Sequence, residues 1–203
     1  MILAFARHRS AADSASPFNQ CLAAIQEQMD RASLTPDAGT IGELNLLAPH
    51  AESLLAGSLI RPEDFSRLAD RLGTHYQASG RYSDARRALA AALASDEKRF
   101  EPGHPSIARS QSNLALVLKD LGQLEEARDL LRKALASDEK TFEPGHPSIA
   151  RSQSNLALVL QDLGQLEEAR DLLRKAHRVY LGRFGPDHPG TQTIRRNLEG
   201  FGN

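Results

Sequence analysis

From Pro105 to Leu121 the apolar residues Ile107, Leu114, Val117, Leu118 and Leu121 recur at steps of three, four and seven, the spacing that gathers side chains on one face of an α-helix. Pro105 suits a first helical turn, where its missing N–H would have no partner in any case. Gly122 then supplies the permissive backbone that a tight turn needs. From Gln123 a second apolar stripe runs through Leu124, Ala127, Leu131, Ala134, Leu135 and Phe142. The opposite side of that segment is charged, with Glu125 spaced to pair with Arg128 and Asp129 with Lys133. The segment Phe142-Glu143-Pro144-Gly145-His146-Pro147 closes the second helix and opens another. The pattern predicts one antiparallel helical hairpin.

This hairpin is written twice. Ala92 to Ala134 and Ala134 to Ala176 align with a shift of 42 (146 minus 104 for the histidines) and differ only where Arg99 becomes Thr141 and Lys119 becomes Gln161. Self-similarity at such a period is the mark of a solenoid array. A degenerate copy lies upstream at the same shift: Leu72, Tyr76, Gly80, Tyr82, Ala85, Leu89 and Ala92 stand where Leu114, Leu118, Gly122, Leu124, Ala127, Leu131 and Ala134 stand. Its first helix is expected to begin at Pro62 and to carry Phe65, Leu68 and Leu72. Downstream, Phe184-Gly185-Pro186-Asp187-His188-Pro189 repeats the linker, and Ile194, Asn197 and Leu198 begin a half unit. Arg195, Arg196 and Glu199 make that last helix polar on one side, as a solenoid cap must be.

The expected fold is therefore all-α: a right-handed superhelical solenoid of antiparallel hairpins over residues 59–203, with repeats at about 62–104, 105–146 and 147–188 and a capping helix at 189–200. Gly122, Ala127 and Ala134 are expected to let helices approach closely, so that bulky replacements overpack the stack.

Ahead of the array, residues 1–16, the apolar Met1 to Ala6 followed by the small and polar Arg7 to Ser16, are expected to be loosely ordered, and residues 17–58 to form helices packed on the array. Ser16-Pro17 reads as a helix start, followed by the stripe Phe18, Cys21, Leu22, Ile25 and Met29. Residues 33–40 break the pattern. A second helical stretch follows from Ile41 to about Ala56, with Pro49 expected to kink or divide it.

The run Asn113-Leu114-Ala115, then Leu118, Gly122, Leu124, Ala127, Leu131 and Ala134, resembles the tetratricopeptide pattern. That repeat is usually about 34 residues long, and the longer period with its Phe-Glu-Pro-Gly-His-Pro linker resembles the variant of kinesin light chains and of the C-terminal arrays of bacterial STAND-type signal-transduction ATPases. Leu46-Leu47-Ala48-Pro49-His50-Ala51 resembles the segment leading into those arrays. The resemblance implies a protein-protein interaction scaffold, with a ligand-sensing or regulatory arm of a multidomain ATPase as the alternative. The chain itself carries no Gly-rich phosphate loop with Lys and Ser or Thr at the required spacing.

The resemblance also implies which residues face the groove. They are Arg109, Ser112, Leu116 and Lys119 in one copy and Arg151, Ser154, Leu158 and Gln161 in the next, with Arg67, Asp70, Thr74 and Gln77 upstream. Asn113 and Asn155 complete the set as groove contacts or as partners of backbone groups at the hairpin interface. Such a surface, with an arginine row, a small hydroxyl and an apolar step, suits a protein or peptide ligand with acidic and apolar side chains. Leu116 and Leu158 also raise self-association. Two departures limit the transfer: kinesin light chains carry paired asparagines where this chain has Ser112-Asn113 and Ser154-Asn155, and the lysine and asparagine of carboxylate-clamp members are replaced by Ser112 and Leu116.

The formal net charge of -1 and pI near 6.7 give no excess of cation for phosphates, which argues against nucleic acid or an anionic membrane as the main partner. The single Cys21 excludes an internal disulfide and fits a reducing, cytoplasmic setting, and it reads as a buried small hydrophobe. His104, His146 and His188 suggest metal, but each occurs once per repeat, on the order of 10 Å from the next. Zinc needs ligands at roughly 2 to 2.3 Å. They are read as helix starts, and no cofactor and no catalytic group is expected. A metal-dependent or hydrolytic enzyme is the least supported reading, because Glu125, Glu126 and Asp129 lie on a solvated face beside arginines, with no apolar setting to raise a carboxyl pKa, and no nucleophile elbow occurs.

Overall fold

The structure is a computed structural model that describes residues 61–200 together with Ala23, Glu27, residues 48–53, Leu55 and Ala56. Every element among the described residues is helical. The expectations for residues 1–16, for the stripe from Phe18 to Met29 and for the loop at 33–40 lie outside the described residues. Pro49, where the helix from Ile41 to about Ala56 is expected to kink or divide, sits within the helical stretch 48–53, and residues 41–47 ahead of it are likewise outside them. The chain divides into two compact units, Met1–Arg99 and Phe100–Asn203.

In the first unit, α1 (Pro62–Ala78) and α2 (Tyr82–Arg99) form a hairpin. Pro62 occupies the first turn of α1, and Arg61 reaches forward to Asp64 at 2.7 Å. Leu68, Ala69, Leu72 and Tyr76 on α1 and Ala85, Leu89 and Ala92 on α2 are buried. Gly73 faces α2 so closely that a Cβ there would lie 2.4 Å from Leu89 Cγ. The Tyr76 hydroxyl donates to Glu52 Oε1 at 2.5 Å, and the Arg81 guanidinium lies 4.2 Å from the Tyr76 ring centre. Burial, and then the Glu52 carboxylate, push the Tyr76 phenol up to about 12.

In the second unit, α3 (Pro105–Asp120) packs on α4 (Leu124–Thr141), α4 on α5 (Pro147–Asp162), α5 on α6 (Leu166–Phe184), and α6 on α7 (Pro189–Glu199). The first helices α3 and α5 also touch. Consecutive hairpins thus stand side by side, and the last helix caps the set. Ala127, Leu131 and Ala134 are fully buried, and so are their counterparts Ala169, Leu173 and Ala176. A leucine buried this completely contributes about 1.5–3 kcal/mol.

The turns follow from local chemistry. At the end of α3 the Gly122 amide donates to Lys119 O at 2.9 Å and the Gln123 amide to Leu118 O at 2.8 Å, the paired bonds of a Schellman ending. Gly122 takes φ +75, and nothing lies within 4 Å of where its Cβ would be. Its role is left-handed backbone rather than the close helix approach expected of it, a role that falls to Ala127, Ala134 and Gly73. Each linker histidine caps the helix after it: Nδ1 of His104, His146 and His188 accepts from the amides of Ser106, Ser148 and Gly190, each at 3.1 Å. The rings stack on the preceding phenylalanine, with centroids 3.9 Å apart for Phe100 and His104 and 4.2 Å for Phe142 and His146. Phe142, expected to extend the apolar stripe of α4, serves as its C-cap and as the platform for His146.

Candidate functional site

The expected groove residues fall on the first helix of each hairpin, and burial separates them. On α3, Arg109 is exposed while Asn113, Leu116 and Lys119 are half-buried, and on α5 Arg151, Asn155, Leu158 and Gln161 repeat that gradation. Steps of four, three and three put these residues on one continuous stripe of each helix. Ser112 and Ser154, expected as a hydroxyl step on the surface, turn inward and are only 6% and 9% exposed. One residue is a rotation of about 100° on a helix, enough to carry them off the stripe and into the packing. In the first unit, Arg67 and Thr74 on α1 are exposed and Asp70 and Gln77 half-buried, at steps of three, four and three. Leu116 and Leu158 are half-buried, so they offer apolar edges rather than a broad patch.

The two stripes of the second unit are tied together. Lys119 Nζ lies 3.6 Å from Asp162 Oδ2 on the neighbouring first helix and 3.6 Å from Asp120 Oδ1. This lysine therefore bridges hairpins in addition to bordering the stripe. Asp162 was missed in the sequence, although the signal was present: an acid one residue beyond Gln161, the counterpart of Lys119. On the opposite side, the expected pairing of Glu125 with Arg128 appears in the second copy as Arg170 Nη1 to Glu167 Oε1 at 3.4 Å. In the first copy Arg128 instead joins Asp129 at 2.8 Å, whereas the spacing predicts Lys133 as the partner of Asp129.

Among the described residues no group of His, Cys, Asp and Glu is placed to hold a metal. None of their helices is long and apolar enough to cross a membrane.

Against known families, the tetratricopeptide repeat model matches residues 64–140 and 148–199, more than half of the chain. The chain belongs to the tetratricopeptide repeat family. Among solved structures, this tetratricopeptide array is similar to a kinesin-light-chain-like protein of Podosopora anserina with nearly identical TPR-like repeats. The match has 28% identity, covers 89% of this chain and 84% of the other, and has a TM-score of 0.70. BtubC (BKLC) from P. vanneervenii shares the fold at 18% identity, over 90% of this chain and 82% of that one, with a TM-score of 0.65. So does the type III secretion translocator chaperone SycD of Yersinia enterocolitica, at 19% identity, over 68% and 90%, with a TM-score of 0.53. No curated protein sequence matches the array.

Proposed function

We propose that this tetratricopeptide array is a protein-interaction scaffold, and that the stripes of α3 and α5 form the concave face that takes an extended polypeptide. The observation that carries this reading is the repetition of one surface in register. Arg109, Asn113 and Leu116 recur as Arg151, Asn155 and Leu158 on the next first helix, and the Lys119–Asp162 ion pair joins the two helices. Two guanidinium groups on adjacent helices favour carboxylates, and the leucine edges favour an apolar side chain between them. The ligand is therefore a segment of alternating acidic and apolar character.

Proteins captured from source-cell lysate on the immobilised full chain, identified by mass spectrometry and titrated as purified partners, test the reading. Changing Arg109→Glu together with Arg151→Glu is expected to weaken such a partner roughly tenfold or more. Unchanged affinity removes the concave stripe from the account.

A further inference from the structure

The near-identity of the copies ends at Ala176, and the first residues beyond it reshape one place in the fold. In the second hairpin the Ser137 hydroxyl donates to Gly103 O at 2.6 Å, tying the C-terminal part of α4 to the loop that opens α3. The residue 42 places on is Val179, which has no hydroxyl to give to Gly145 (137 and 103 each plus 42). By the same shift Lys140 becomes Gly182, and nothing lies within 4 Å of where a Cβ on Gly182 would stand. Between α5 and α6 a groove of about 530 Å³ opens there, with Ile149 and Val179 as the apolar side chains of its lining.

The charge of the strip reverses as well. Residues 135–141 carry Asp138, Glu139 and Lys140, a formal -1, whereas residues 177–183 carry Arg178 and Arg183, a formal +2 with His177 neutral. Both of these arginines line the groove, and Lys175 joins them. All three are exposed, and among the described residues none of the three has an ion-pair partner. The Gln153 amide adds a neutral hydrogen-bonding group to the wall.

We infer that this groove between α5 and α6 is a second polypeptide-binding site, one that takes an acidic segment by seating an apolar side chain on Ile149 and Val179 and its flanking carboxylates against Arg178, Arg183 and Lys175. Unpaired cations around apolar side chains match that chemistry. A nucleic acid fits less well, because those apolar side chains are aliphatic and offer no ring on which a base could stack. The site lies on the side of α5 that faces α6. Ile149 and Gln153 are one turn apart there, and Arg151 points to the other side of the helix. It therefore does not depend on the concave stripe.

The test is fluorescence anisotropy on the full chain at about 0.15 M salt, with a fluorescein-labelled peptide of repeating Glu-Glu-Leu. A Gln-Gln-Leu peptide and a labelled oligouridine of equal length are the comparisons. The Glu-Glu-Leu peptide is expected to bind at least about tenfold more tightly than either. The decisive variant is R178A/V179S/G182K/R183T, in which every new residue is the one that stands at the matching place in the upstream copy, so that the hairpin keeps a sequence this fold already accommodates. It is expected to lose roughly tenfold in affinity, and R178A/R183A alone most of that. All of these affinities are measured in the R109E/R151E background, where the concave stripe no longer takes an acidic segment, and the groove variants are compared with that parent, so that the loss reads this site alone. Equal binding of the glutamine peptide, tighter binding of the oligouridine, or full affinity in both groove variants overturns the inference.

Discussion

Ser152 donates its hydroxyl hydrogen to Asp138 Oδ2 at 2.6 Å, and both residues are buried, at 1% and 4% exposure. The bond joins α4 of one hairpin to α5 of the next, in a place where the apolar stripes predict only hydrophobic contact. A buried carboxylate that loses such a donor keeps its desolvation cost.

Changing Ser152→Ala is therefore expected to lower stability by about 1–3 kcal/mol. Removing Asp138 as well, in D138A/S152A, is expected to cost less than the sum of the two single changes, since the orphaned carboxylate is gone. Urea unfolding of the four proteins in the cycle measures both. Strict additivity removes the tie from the interface.

The histidine caps make a prediction about acceptors. His146→Ala leaves the Ser148 amide without its side-chain partner and removes the stack on Phe142, with an expected loss of about 1 kcal/mol. His146→Asn restores an acceptor without the ring, so it is expected to recover part of that loss in the thermal midpoint. An asparagine variant no better than alanine points to the stack as the whole contribution.

Two glycines are expected to respond for different reasons. In a helix interior, Gly→Ala ordinarily gains up to about 1 kcal/mol. At Gly73 the new methyl would meet Leu89, and a loss of about 1–3 kcal/mol is expected, relieved in part by Leu89→Ala. At Gly122 no atom is in the way, and the loss of about 1–2 kcal/mol comes from the positive φ, so no neighbouring truncation relieves it. Denaturant midpoints of the paired variants distinguish the two.

Stability is expected to fall on mild acidification. Burial, and then the Arg81 cation, lower the His75 pKa below the ordinary imidazole value of 6.5. The unfolded chain then binds more protons than the folded one in the window beneath 6.5, so stability rises with pH there and is lost as pH drops through it. His75→Gln is expected to flatten the dependence of the urea midpoint between about pH 7.5 and 5.5. A variant with the full acid sensitivity of the parent places the responsible group elsewhere.

The hairpins were legible because their signals reinforce one another. Proline at the start, glycine at the turn and a stripe at helical spacing recur at one period, and helix bounds such as Pro105–Asp120 fall within a residue of the expectation. The surface was less legible. A periodic stripe identifies a buried face, but it does not say where that face ends, because neighbours from two directions cover it. Ser112 and Ser154 sit next to Asn113 and Asn155 in sequence and turned out to be on the covered side. The buried Asp138 was unreadable for a related reason: its partner Ser152 lies on another hairpin. The widened groove at Val179 and Gly182 could have been found by asking what the third copy lacks.

The joint between α4 and α5 has a bearing on how such a chain changes length. Every residue that furnishes it belongs to the duplicated text, so an extra unit of 42 residues spliced in at Ala134 would find its neighbours already cut to fit. The text stops at Ala176, where Tyr180 and Ile194 stand in the places of Asp138 and Ser152 and the polar fastening gives way to a greasy one. Copy number can drift by recombination between the near-identical stretches, while the hairpin that follows Ala176 keeps its own character.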